Sequence, residues 1–383
     1  PFMSPLLKAI SAQDYLEDVD LIIIDSESND NTQKIAREFG AHVLTIKQKD
    51  FTHSKARNIA SKLAKHEFLL FTVQDALPSD TTTFAKMAEI LSKDENMAAV
   101  STVQHARPDA DIYARWQVNN HNELLDLTYD SISKVSDFSK FNQESFILKR
   151  RVSLLDDVCA LYRKDTFDEL NGFSEVGFGE DLDYAFKALR AGHSLGLLCS
   201  SGVIHSHNRP AHYFLKRTFI SSYLDLDLLL DVDKKKIINP SIDLQAGLII
   251  AEYLNSNDFN FQDNFFVNIR NFVYGWIYLH NDCDPTSALG QAIALIIRET
   301  KMSNKQLKGE EIINYYKNLM DILRSYLMSH PINIFNDENK RQFLERMLAT
   351  QIGDILARYC LGRQTPTVAK NKKILTKLLS GNV

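Results

Sequence analysis

The feature that most constrains the fold is a run of four large aliphatic residues, Leu21-Ile22-Ile23-Ile24, that stops at Asp25-Ser26-Glu27-Ser28-Asn29-Asp30. A run this short and this apolar reads as a strand buried on both faces of a parallel sheet. The polar cluster behind it supplies turn and helix-capping groups. A parallel strand needs a crossover helix and a neighbour, and the next residues provide both. Thr32 to Phe39 has a helical pattern closed by Gly40, and Ala41 to Ile46 reads as a second strand. The alternation continues with a helix over Ser54 to Lys65, a strand over Phe68 to Val73 ending at Gln74-Asp75, and a strand over Ala98 to Val103. Residues 1–225 therefore read as an α/β domain. After Asp225 the strand-like runs stop. Helical periodicity marks segments near 241–255, 263–280, 286–300, 309–328 and 338–361, with Phe265, Ile269, Phe272, Trp276 and Leu279 on one face. Residues 226–383 read as an all-helical second domain, and a length of 383 residues suits two domains.

Composition removes several classes of function. The formal net charge of -5 argues against a non-specific nucleic-acid binder, which needs a basic face. Cys159, Cys199, Cys283 and Cys360 are far apart, so they suggest neither a zinc site nor a disulfide framework, and a reducing, cytoplasmic compartment is expected. No apolar run reaches the ~20 residues of a membrane span. The tail from Ala369 to Leu379 places Lys370, Lys372, Lys373 and Lys377 among Val368, Ile374, Leu375, Leu378 and Leu379. It reads as a solvated helix or, alternatively, as a peripheral contact with the inner face of a membrane.

In open α/β sheets, ligands bind beyond the carboxyl ends of the strands. Asp25 and Asp75 stand there. Asp25 can accept hydrogen bonds from a nucleoside, or, with Ser28 and Asp30, serve only as a turn and cap. Asp75 suits a hard divalent cation. Gly177-Phe178-Gly179-Glu180-Asp181-Leu182-Asp183 puts three carboxylates at a helix start behind a glycine loop. The helix dipole accounts for one or two of them. Val203-Ile204-His205-Ser206-His207 ends an apolar run in two histidines at i, i+2, whose side chains point the same way in an extended segment, as metal ligands can. In Phe51-Thr52-His53-Ser54-Lys55-Ala56-Arg57-Asn58, Ser54 reads as the N-cap, which puts Lys55, Arg57 and Asn58 in the first helical turn. Cations there oppose the dipole, so a diphosphate partner is expected, with plain surface charge as the alternative.

Taken in order, these segments resemble the inverting GT-A glycosyltransferases of glycosyltransferase family 2, in particular their bacterial rhamnosyltransferase-like members. Ile24 to Thr32 is similar to the family's DSxSxDxT stretch, Phe51 to Asn58 to F-x-H-x-x-x-R-N, and Phe71 to Pro78 to the TQDAxP form of the DxD motif. Gln104 to Asp111, QHARPDAD, resembles RQxPRxDAD; Gly179 to Asp183 resembles the ED base motif; His205-Ser206-His207 matches HSH. The resemblance covers roughly the first 220 residues.

It implies a GT-A domain, a Rossmann-like mixed sheet flanked by helices. It implies transfer of a sugar, rhamnose among the candidates, from a dTDP- or UDP-linked donor to a glycan or lipid-linked acceptor of a cell-surface polysaccharide. Mg²⁺ or Mn²⁺ would be held by Asp75 and His205, with His207 beside them. Asp25, Ser26, Ser28, Asp30, Arg57, Asn58 and Gln74 would line the donor, and Asp181, with Glu180, would serve as general base. Gln104, Arg107 and Asp183 would lie on the acceptor side. Self-association or assembly with other polysaccharide-synthesis enzymes fits such a role. Two departures stand out. The first acid of the DxD motif is Val73 here. The family also begins with a strand before the helix ending near Gln13, and that strand is expected upstream of Pro1. These departures motivate an alternative, a non-catalytic scaffold. A hydrolase built on Glu180, Asp181 and Asp183 is disfavoured, because neighbouring carboxylates on one helix start cannot flank a scissile bond.

Overall fold

The computed structural model describes residues 2–14, 19–176 and 178–229, together with residues 342, 346, 349, 350, 353, 354 and 357. The helical segments expected between 241 and 361, apart from those isolated positions, and the lysine-rich tail lie outside the described residues. Gly177 lies outside them too. The chain divides into two compact units, Pro1–Asn208 and Arg209–Val383.

The first unit alternates strands and helices. Its strands are β1 (Ile22–Asp25), β2 (His42–Thr45), β3 (Phe68–Thr72), β4 (Leu77–Pro78), β5 (Met97–His105), β6 (Ser131–Ser133), β7 (Cys159–Arg163) and β8 (Ser194–Ile204). Its helices are α1 (Met3–Ser11), α2 (Thr32–Glu38), α3 (His53–Leu63), α4 (Thr83–Ser92), α5 (Ile112–Leu124), α6 (Phe138–Phe141), α7 (Phe146–Val152), α8 (Lys164–Glu169) and α9 (Glu180–Arg190). The main sheet runs β3-β7-β5-β8-β4, with β6 also paired to β8. It is mixed: β5 and β8 are parallel, and the other pairs are antiparallel. Met97 to Val103 is buried without a break because β5 is central, flanked by β7 and β8. On one side, Phe71, Tyr162, Phe167, Phe173 and Tyr184 form an aromatic core with ring centroids 5.0–5.7 Å apart.

β1 and β2 pair in parallel as a separate two-stranded sheet. Here the expectation of a strand buried on both faces is corrected: Ile22, Ile23 and Ile24 are only half-buried, because a two-stranded ribbon covers them incompletely. A second correction concerns α3. Thr52, not Ser54, caps it, its hydroxyl accepting from the Lys55 amide at 3.1 Å. Ser54 is fully buried inside the helix, with its hydroxyl 3.4 Å from the Val176 carbonyl. Arg57 and Asn58 accordingly sit in the second turn.

Two registers set up the site. β3 pairs with β7 through Thr72↔Cys159, and the Val73 amide continues onto the Val158 carbonyl at 3.3 Å, so residues 73–75 leave the sheet beside 156–158. β4 pairs with β8 through Leu77↔Ile204, which brings the Asp75 turn against the residues that follow Ile204. Within β8, Cys199, Ser200 and Ser201 bulge out between Thr102↔Leu198 and Val103↔Gly202. The Asp130 carboxylate accepts from the Cys199 and Ser200 amides at 2.6 and 2.8 Å, and Ser201 donates to Asp80 at 2.7 Å. Where the strands rejoin, Gly202 is obligatory: a Cβ there would stand 2.4 Å from the Val103 carbonyl oxygen.

In the second unit, α10 (Ala211–Leu229) buries Phe214, Leu215, Phe219 and Ile220. Gly353 lies so close to it that a Cβ would meet the Leu215 carbonyl at 2.5 Å. No helix of the described residues is long and apolar enough to cross a membrane.

Candidate active site

His205 and His207 follow β8, and their rings meet edge to face at 4.5 Å between centroids. His205 Nε2 lies 3.6 Å from Asp75 Oδ1, and His207 Nδ1 lies 3.7 Å from Asp75 Oδ2. Both separations exceed a hydrogen bond. They approach the spacing of two donors that share one cation, each bound at about 2.1 Å. The three donors fall within 4.8 Å of one another. A carboxylate with two imidazoles is a donor set that first-row divalent ions accept. His205 is buried and the other two are partly open to solvent. Burial pushes the Asp75 carboxyl up, but the two imidazoles outweigh it and leave the group below the usual carboxylate range.

The second part of the site is acidic. Gly179, in the left-handed conformation at φ 75°, ends the glycine loop and caps α9, which starts with Glu180, Asp181 and Asp183. The Asp157 amide faces the Asp181 carboxylate at 3.4 Å. Arg57 forms an ion pair with Glu180 and another with Asp157 at 3.3 Å, and also donates to the Asp157 carbonyl at 3.2 Å. Tyr162 donates its hydroxyl to Asp157. Asp156, Asp157, Glu180 and Asp181 thus crowd together around too little positive charge. Burial, then the charges of Asp157, Glu180 and Asp156, push Asp181 up to about 8, against a smaller opposing effect of Arg150. Burial also pushes Asp157 up to about 6 despite Arg57; burial pulls Arg57 down, but the Asp157 and Glu180 carboxylates outweigh it and raise the guanidinium above its usual range.

One side chain joins the two parts. Gln104, near the end of β5, meets His205 Nδ1 through its Oε1 at 2.7 Å and donates from Nε2 to Asp156. The Asp75–His205 pair and the Asp181 cluster are therefore neighbours in one connected arrangement.

The other sequence-selected residues are placed as follows. Asp25 is buried at the end of β1 and accepts from the Ser28 amide at 3.1 Å and the Gln33 side chain at 2.6 Å. Asp30 accepts from the Thr32 amide at 2.9 Å at the start of α2. Ser26 is half-buried, whereas Ser28 and Gln74 are exposed. Asn58 uses both ends of its amide on the Phe173 backbone, at 2.8 and 3.0 Å, and so clamps the loop before the glycines. Arg107 pairs with Asp109 at 2.9 Å and stacks over the Phe2 ring at 4.9 Å, and its backbone amide donates to Ser206 Oγ. Asp183 is engaged by Ser174 at 2.5 Å and Lys187 at 3.7 Å.

The sequence reading overlooked Asp156 and Asp157. The available signal was two adjacent acids just before the buried run Cys159 to Tyr162; because β7 runs antiparallel to β3, its entry lies at the same sheet edge as the exit of β3, where Asp75 stands.

Residues 1–170 match the family model described as Glycosyl transferase family 2. Over that stretch the chain is similar to glycosyltransferase family 2. The chain is 30% identical over 204 residues to the O-antigen chain rhamnosyltransferase WbaN of Salmonella anatum, covering 52% of the chain and 60% of the relative. It is 30% identical over 220 residues to the O-antigen chain rhamnosyltransferase RfbN of Salmonella typhimurium, covering 56% of the chain and 65% of the relative. The chain thus spans less than two thirds of the length of the curated relatives it matches. Among solved structures it is similar to the mannosyltransferase PcManGT from Pyrobaculum calidifontis in complex with GDP-Man and Mn²⁺, at 16% identity and a TM-score of 0.48, covering 93% of this chain and 83% of that one.

Proposed function

We propose that this chain is an inverting, divalent-metal-dependent glycosyltransferase that moves rhamnose from a dTDP- or UDP-linked donor to a growing cell-surface polysaccharide or lipid-linked glycan. The observation that carries this reading is the connection of Asp75, His205 and His207 to Asp181 through Gln104 and Asp156. The two rhamnosyltransferase relatives support the choice of sugar. Mg²⁺ or Mn²⁺ on Asp75, His205 and His207 would neutralise the charge that a departing nucleoside diphosphate gains.

The remaining chemistry belongs to the chain. Asp181 takes the proton of the acceptor hydroxyl, and the oxygen displaces the nucleotide in line, inverting the anomeric carbon. A base is most effective when its pKa lies near the working pH, and the crowding of carboxylates around Asp181 moves it that way. Asp25, Ser26, Ser28 and Asp30 line the nucleoside side at the end of β1, with Gln74 toward the diphosphate. Arg57 and Asn58 act from behind, one holding Asp157 and Glu180, the other the Phe173 loop.

The test is a panel of nucleotide-sugars titrated calorimetrically with and without Mn²⁺, followed by transfer assays on a lipid-linked glycan. Binding of a dTDP- or UDP-linked sugar that needs the metal, and turnover with inversion, is the expected result. Failure of every donor to bind with metal present would leave the scaffold reading in its place.

A further inference from the structure

Three contacts around Gln104 fix more than their own geometry. The backbone of Gln104 is held in β5 opposite Val203, and its carbonyl accepts from the Asn122 amide group at 3.0 Å. Its side-chain nitrogen faces the Asp156 carboxylate, and its side-chain oxygen faces His205 Nδ1 at 2.7 Å. The rest follows from which groups can donate. An ionised carboxylate only accepts, so Asp156 claims the NH₂ end of the amide. The end left for His205 is an oxygen, which also only accepts, so the imidazole proton must sit on Nδ1. That leaves the lone pair on Nε2, the nitrogen 3.6 Å from Asp75 Oδ1. Reversing the amide would set its oxygen against a carboxylate and its NH₂ against a nitrogen that must then be the acceptor; His205 would carry its proton toward Asp75.

We propose that Gln104, with its amide orientation set by Asp156, is a positioning residue that selects the Nδ1-protonated tautomer of His205 and so pre-forms the cation site. This rests on the metal-dependent reading above. It also gives Gln104 a different part from the acceptor-side role its sequence motif suggested. Partners of this kind, on the far nitrogen of a ligating histidine, typically change metal affinity by about 10–100-fold when removed.

The measurement has two arms, both on the full chain. In the first, long-range ¹H–¹⁵N NMR of the metal-free protein at alkaline pH reports the tautomer of His205. Wild type should show the proton on Nδ1. Gln104→Leu should lose that preference, and the exchange Gln104→Glu with Asp156→Asn, which keeps an acceptor facing Nδ1 and an NH₂ between residues 104 and 156, should retain it. In the second arm, calorimetric titration with Mn²⁺ should show affinity lower by about 10–100-fold in Gln104→Leu and largely recovered in the exchange variant. A merely structural Gln104 would not separate the exchange variant from Gln104→Leu in the tautomer spectrum. His205→Ala separates the two failures. If His205→Ala binds Mn²⁺ like wild type, the metal reading itself falls. If His205→Ala loses binding while Gln104→Leu keeps wild-type affinity and the Nδ1 proton, the metal reading stands and the role of Gln104 is overturned.

Discussion

The Asp75–His205–His207 cradle and the Asp156–Asp157–Glu180–Asp181 cluster lie on either side of one glutamine, yet they are built in opposite ways. In the cradle a single carboxylate faces two imidazoles at distances too long for direct bonding. In the cluster four carboxylates crowd one another, and Arg57 pairs directly with two of them. The first arrangement is geometrically ready for a cation from solution. The second carries its own cation, but not enough charge to satisfy every acid, so one acid retains its proton to unusually high pH. The difference separates binding from basicity. On the proposed function, one side would hold charge that arrives with a ligand, and the other would supply a proton-accepting group raised by crowding.

Three perturbations sharpen this contrast, beginning with the largest effect. Asp181→Asn keeps shape and removes the base, so transfer should fall by about 10²–10⁴-fold while donor binding, measured by titration, changes little. Activity near the wild-type level would place the base elsewhere. Next, Arg57→Met leaves Asp157 and Glu180 buried without their cation and should cost about 3–5 kcal/mol of stability by denaturant unfolding. His207→Ala in the cradle of the metal-free protein should cost about 1 kcal/mol or less. Equal losses would mean that the cradle is as structural as the cluster, and the contrast would fail.

The smallest effect is on pH dependence. Asp181 and Asp157 have folded-state pKa values above the ordinary carboxylate range, at about 8 and about 6. The folded protein therefore binds these protons more tightly than the unfolded chain does. Their contribution to stability is complete below the unfolded pKa near 4 and is lost as pH rises through about 6 and then about 8. Thermal unfolding between neutral and mildly alkaline pH should show wild type losing stability as pH rises, and Asp181→Asn losing less. Parallel curves would show that Asp181 is not strained by its neighbours.

Much of this arrangement can be read in the sequence. Local patterns carry the strand ends: an aliphatic run followed by acids gives Asp25 and Asp75, and an apolar approach to His-x-His gives His205 and His207. The glycine loop before Glu180 announces the helix start, and the order of the motifs points to the family. What could not be read is pairing across long separations. Asp156 and Asp157 belong to the site because β7 runs antiparallel beside β3, and nothing local to Leu154-Leu155-Asp156-Asp157 reports that register. Arg57 illustrates the same limit. Its oddity as a cation near a helix start was visible, whereas its pairing with Glu180, 123 residues away, was not. The cap of α3 was misplaced by two residues because Thr52 and Ser54 are both competent caps, and burial of Ser54 decides between them.

Gly202 gives the cradle a property that its donor residues alone do not. At that point β8 touches β5 main chain to main chain, with no room for a side chain between them. The height of His205 above the sheet is consequently set by peptide against peptide rather than by the girth of interchangeable aliphatic groups. The spacing of the two imidazoles from Asp75 thus leans on a backbone contact that no side-chain substitution at Val103 removes.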